Sequence, residues 1–148
     1  MEIKDIISKD GVALDLSCTD KRTLLEELSE LAAKVYDLSA VVIADVIAER
    51  EKLGTTGVGY GIAIPHGKLS NLSRPVGVMA KLDNALDFGS PDGKAVDIVC
   101  LLLGPENAGA DHLNALACIS GLLKNDENRD RIRNASTIRD LQEILGLR

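Results

Sequence analysis

Tryptophan is absent from this 148-residue chain, and one phenylalanine with two tyrosines leaves aromatics at 2%. A core so short of aromatic rings has to be aliphatic, assembled from leucine, isoleucine, valine and alanine. The same shortage excludes single-stranded nucleic-acid binding by base stacking, which needs aromatic platforms. Positive charge is also in short supply: 17 Lys and Arg stand against 23 Asp and Glu, a net charge of −6. With no basic run to offset the excess, binding along a phosphate backbone is excluded too. The three cysteines, Cys18, Cys100 and Cys118, are odd in number and widely spaced among apolar or turn residues. They read as reduced thiols in or near the core. Two distant histidines and no CxxC leave no pattern for a structural zinc site. No apolar run approaches the roughly 18 residues a membrane helix needs, and Met1-Glu2-Ile3-Lys4-Asp5 lacks the basic-then-apolar order of a signal peptide. The expectation is a cytoplasmic protein without membrane insertion, folded as one domain over residues 1–148.

Hydrophobic periodicity organises the rest. Val12, Leu14 and Leu16 alternate within Asp10 to Asp20, as a short strand would. Thr19 or Asp20 then caps a helix from about Lys21 to Val35, striped by Leu24, Leu28, Leu31 and Val35. Ser39 caps a second helix, about Ala40 to Leu53, with Val42, Ile43, Val46 and Ile47 inward and Gly54 as its stop. Val58, Tyr60, Ile62 and Ile64 alternate with small residues up to Pro65 and predict a single strand. Val76 to Leu82 predicts another. Ala95 to Leu103, apolar apart from Asp97, suits a central strand covered on both faces. Asp111 caps a helix of about His112 to Lys124, and two shorter helices follow at about Glu127 to Arg133 and Thr137 to Leu145, the last capped by Ser136 or Thr137. The pattern predicts an α/β domain: a mixed sheet of about five strands with helices on both faces.

Residues Glu49 to Lys68 gather four glycines before the histidine, two threonines, an arginine and His66. Gly57, Gly59 and Gly61 form GxGxG, which lacks the third glycine of a dinucleotide loop. A strand ended by Pro65 follows where such a loop needs a helix N-terminus. Nucleotide binding is therefore set aside. In a continuous strand those glycines would clear one face and let another element approach closely. His66, at the end of that strand between Pro65 and Gly67, is presented by constrained backbone. A neutral imidazole is a competent nitrogen nucleophile near pH 7, and its phosphorylated form is a good phosphoryl donor. Such a site needs donors for the phosphoryl oxygens. His112, at the first position of its helix, is either such a donor or a ring filling the edge of the Leu116, Ile119, Leu123 stripe. Arg50 is either a phosphate partner or an exposed helix end. Thr55 and Thr56 either donate to phosphate or shape the turn.

Together, Glu49-Arg50-Glu51, Gly54-Thr55-Thr56-Gly57-Val58-Gly59 and Gly61-Ile62-Ala63-Ile64-Pro65-His66-Gly67-Lys68 closely resemble the phosphorylation-site region of fructose/mannitol-type enzyme IIA proteins of the bacterial phosphoenolpyruvate-dependent phosphotransferase system. The block from Asp92-Gly93 to Gly104-Pro105-Glu106, followed by His112-Leu113-Asn114-Ala115-Leu116-Ala117, resembles the same family, and the likeness runs from about Ile6 to Leu145. Within the family the chain is most similar to the free-standing nitrogen-regulatory branch. One departure is Thr55, where the family often has serine. The resemblance implies that His66 accepts a phosphoryl group through a ring nitrogen, that His112 hydrogen-bonds it and that Arg50 supplies charge, with Thr55, Thr56 and Gly67 in support. It implies a small histidine-containing phosphocarrier protein as donor, targets such as sensor kinases or potassium transport systems, and no metal or nucleotide cofactor. Two other readings stand beside this one: a sugar-transport subunit passing phosphate to a IIB domain, and a non-catalytic protein-binding module.

Overall fold

The computed structural model describes residues 1–107 and 109–147. A 3-10 turn at Ile3–Asp5 leads into β1 (Ile7–Leu16), then α1 (Lys21–Tyr36) and α2 (Ala40–Lys52). Three short strands follow, β2 (Gly57–Gly59), β3 (Ile62–Ala63) and β4 (His66–Leu69), then two long ones, β5 (Val76–Leu86) and β6 (Val96–Pro105). The chain continues through α3 (Ala110–Leu123), α4 (Asp126–Arg133) and α5 (Ile138–Leu145). The six-stranded sheet runs β1-β5-β6-β3-β2, with β4 also on β6. It is mixed, as expected, with one strand more than the expected five. Asp20, Ser39 and Thr137 cap α1, α2 and α5 through their side chains, which settles both open choices of cap.

The central strand is β6. It pairs antiparallel with β5 on one side and parallel with β3 and β4 on the other. Alternation along a strand sends successive side chains to opposite faces, and here it divides the core in two. Ala63, Val99, Leu101 and Leu103 face α1 and α2, where they meet Leu24, Leu28, Ile43 and Ile47. Ile62, Ile64, Ile98, Cys100 and Leu102 face the other way, onto Ile119 of α3, Ile132 of α4 and Leu141 of α5. The α1 stripe turns slightly from its expected course: Leu24, Leu25, Leu28 and Ala32 are buried, while Leu31 and Val35 are only partly so. Val42, expected inside α2, is 50% exposed, because α2 meets the sheet through Ile43, Val46 and Ile47.

The single strand expected from Val58 to Ile64 is instead a hairpin followed by a resumed strand. Gly59 pairs with Ile62 across a two-residue turn, and both turn residues have positive φ, 59° at Tyr60 and 77° at Gly61. A two-residue hairpin turn of that hand needs positive φ at both positions. The three glycines consequently do not clear one common face. A side chain at Gly57 would meet Ser90, one at Gly59 would meet Asp92, and one at Gly61 would meet Arg133 and Asp97. Close approach was the right reason for glycine here, with three different neighbours. Beyond the hairpin, β3 and β4 keep one register on β6, Ala63 opposite Val99 and His66 opposite Leu102. Ile64-Pro65 interrupts the ladder without shifting it, since Pro65 has no N–H to contribute.

Candidate functional site

His66 therefore begins β4; it does not end a strand. Its even-numbered position places it on the face shared by Ile62 and Ile64, the side covered by α3. The half-buried ring sets Nδ1 2.9 Å from the Ile64 carbonyl oxygen. A carbonyl only accepts, so this bond places the proton on Nδ1 and leaves Nε2 with a free lone pair. Gly67 points to the opposite face. A Cβ there would lie 2.4 Å from Cγ1 of Val46, so its absence is what allows α2 to lie against β4.

α2 delivers Arg50 to the same place. Arg50 is half-buried in the last helical turn, and its Nη1 donates to the Gly54 carbonyl at 2.9 Å. The connection from α2 to β2 is tied by Glu51, a residue that sequence reasoning quoted within the motif but gave no role. Its carboxylate is 8% exposed and pairs with Nζ of Lys21 at 2.6 Å. It also accepts from the Thr56 backbone N–H at 3.2 Å and from the Thr56 hydroxyl. Thr55 donates its hydroxyl to the Phe88 carbonyl at 2.5 Å and accepts from the Gly57 N–H at 3.0 Å. Of the two roles open to these threonines, both hydroxyls take the turn-shaping one. An acid directly after Arg50 and shortly before a Thr-Thr-Gly turn was the available signal for Glu51.

α3 brings in His112. The expected cap, Asp111, is displaced by Gly109, whose φ of 56° starts the helix with no side-chain bond. Asp111 lies in the first turn, where a carboxylate is favoured by the helix dipole, and His112 is the third helical residue instead of the first. His112, Ile119 and Leu123 of the expected stripe are buried, together with Ala115, whereas Leu116 is only partly so. His112 is 6% exposed, and its ring centroid lies 5.8 Å from that of His66. Burial, and then the neighbouring charges of His66 and Lys68, push its pKa below the ordinary histidine value. Its Nδ1 is buried and has no hydrogen-bond partner among the described residues.

Two clefts share His66 in their lining. One of about 220 Å³ is lined by Arg50, Thr55, Thr56 and His66. The other, about 520 Å³, is lined by Arg50, His66, Lys68 and His112. Leu53 at 85% and Leu113 at 68% exposed rim the larger cleft, and Val58 at 37% rims the smaller. His66, Arg50 and His112, distant in sequence, thus share one surface depression with an apolar border. A basic group, a nucleophilic nitrogen and a second imidazole gathered there suit an anionic group bound at His66. Among the described residues, no helix is long and apolar enough to cross a membrane.

Residues 5–146 match the family model described as phosphoenolpyruvate-dependent sugar phosphotransferase system, EIIA 2. A nitrogen regulatory protein of Bradyrhizobium diazoefficiens is 42% identical over 99% of this chain and 96% of its own length. The fructose-specific EIIA component of Haloferax volcanii is 31% identical over 98% of this chain and 95% of its own. Among solved structures, nitrogen regulatory protein IIA-Ntr of Neisseria meningitidis superposes with a TM-score of 0.89 at 32% identity, covering 97% of this chain and 98% of that one.

Proposed function

This chain belongs to the EIIA 2 family of the phosphoenolpyruvate-dependent sugar phosphotransferase system, and from that premise we propose that His66 is its phosphoryl-accepting residue. The observation that carries the reading is the Nδ1 bond to the Ile64 carbonyl, which commits Nε2 to nucleophilic attack. The Nε2 lone pair forms a P–N bond as the donor's own P–N bond breaks, and that electron pair returns to the donor imidazole. As positive charge develops on the His66 ring, the Ile64 carbonyl stabilises the Nδ1–H. Arg50 supplies positive charge for the phosphoryl oxygens and His112 a hydrogen bond. Thr55, Thr56 and Glu51 hold the turn that sets Arg50 against β4, and Gly67 lets α2 come close. The donor is a small histidine-containing phosphocarrier protein, which docks over the apolar rim of Leu53, Leu113 and Val58. The test is intact-mass measurement after incubation with phosphoenolpyruvate, an enzyme I and the small phosphocarrier. One acid-labile phosphoryl group is expected, and no gain in mass sinks the proposal.

The output is regulatory, through binding that depends on phosphorylation state. Phosphorylation adds about −1.5 to −2 charges in the middle of an apolar rim on an already acidic protein, which repels or releases a docked target of the sensor-kinase or potassium-transport kind. The full-length likeness to a nitrogen regulatory protein supports this output. The comparable length of the fructose-specific relative favours a second reading, transfer to a sugar-permease IIB domain. Mixing the phosphorylated protein with a fructose- or mannitol-type IIB domain separates them: rapid transfer establishes the transport role, and retention of phosphate the regulatory one.

A further inference from the structure

His112 meets the body of the protein at Gly104, the even-numbered residue of β6 paired with Lys68 of β4. A Cβ at Gly104 would fall 2.3 Å from His112 Nδ1 and 3.2 Å from its Cγ and Cε1. The Nδ1 edge of the ring therefore lies against bare glycine backbone, and the Nε2 edge lies on the side away from it. Where another residue carries Cβ, glycine carries a second Cα hydrogen, so a C–H bond points at the buried Nδ1. An unprotonated nitrogen attracts that hydrogen weakly. A protonated Nδ1 sets hydrogen against hydrogen and buries an N–H with no acceptor, which is the costly arrangement for a buried polar group.

We infer that His112 serves the phosphoryl site as a neutral Nε2–H donor, and that Gly104 is the positioning residue that sets this state. The inference rests on the proposed phosphorylation of His66. The groups around the ring point the same way. Lys68 and His66 on β4 and Arg50 on α2 are positive or can become so. Glu49 on α2 and Asp111 on the ring's own helix are exposed, and neither reaches Nδ1. An imidazolium would therefore have no anion on its buried side. Depressed basicity from burial agrees with the geometry. The consequence is a division of labour in which Arg50 carries the charge and His112 supplies direction. The phosphoryl group then sits between one cation and one neutral donor, and stays reactive for onward transfer.

The test is a long-range proton–nitrogen NMR spectrum of the two histidine rings in the full-length protein near neutral pH, before and after phosphorylation. His112 is expected to show protonated Nε2 and bare Nδ1 in both states. A proton on His112 Nδ1 in either state overturns the inference. Gly104→Ala, whose Cβ would fall 2.3 Å from Nδ1, is expected to push the ring off the sheet and shift its nitrogen resonances; an unchanged ring in the folded variant overturns the role of Gly104. Transfer rates give a readout independent of that variant's folding. Glutamine carries a neutral N–H donor near the place of Nε2, so His112→Gln should transfer on the order of tenfold faster than His112→Ala. Equal rates for the two variants overturn the neutral-donor assignment. If phosphorylation of His66 itself fails, intact mass shows that directly, while the tautomer of His112 is still read in the unphosphorylated protein.

Discussion

The two histidines sit 5.8 Å apart, ring centre to ring centre, in opposite circumstances. His66 is half-buried on a strand, and its Nδ1 has a carbonyl partner 2.9 Å away. His112 is buried in the first turn of a helix, and its Nδ1 faces a glycine and no partner. Each ring owes its place to a glycine, but in different ways. Gly67 lets a helix approach the strand beside His66, whereas Gly104 lets the His112 ring itself sink against the sheet. The difference underlies the two proposed roles: a backbone carbonyl would ready one ring as a nucleophile, and a bare backbone would keep the other a neutral donor.

The sharpest way to break this comparison is to remove each ring in turn. His66→Ala should abolish phosphoryl uptake, read as the complete absence of a mass gain. His112→Ala should still take up one phosphoryl group, with transfer slowed on the order of 10- to 100-fold in a quenched-flow assay. Normal transfer in that variant would remove His112 from the site. Next in size is the glycine on the nucleophile's side. Gly67→Ala drives a methyl group toward Val46 and should cost about 1–3 kcal/mol in urea denaturation. Part of that loss should return in Gly67→Ala combined with Val46→Ala; additive losses would show that the contact with α2 is not the cause.

The smallest effect is the pH dependence of stability. Because the folded state lowers the His112 pKa, the unfolded chain binds more protons between that lowered value and the ordinary one near 6.5. Stability should be full above about pH 6.5 and fall as the pH drops through that window. His112→Gln should flatten this part of the profile in denaturation measured at several pH values, and an unchanged slope would assign the titration elsewhere.

Much of the fold was legible because local rules decided it. The caps of α1, α2 and α5, the buried run of β6 and the stripe of α3 follow from side-chain hydrogen bonds and periodicity. The hairpin was hidden because Val58, Tyr60, Ile62 and Ile64 alternate across its turn as they would along one strand. Positive φ at a tyrosine carries no signature in composition. Glu51 escaped for a related reason: burial of its carboxylate depends on Lys21, which only packing of α1 against α2 brings near. Asp111 matched the cap pattern, but Gly109 starts the helix earlier.

By itself the sequence determined the kind of protein this is: an aliphatic α/β domain whose glycine-rich motif, histidines and arginine place it with the EIIA proteins. These are properties of residue types and spacing, which a linear chain carries intact. Only the tertiary structure decided which nitrogen of each ring is free, which hydroxyls are already engaged and which glycine makes room for which neighbour. Those outcomes depend on hydrogen-bond partners and close contacts across β6, α2 and α3, set by folding at separations the linear pattern does not encode.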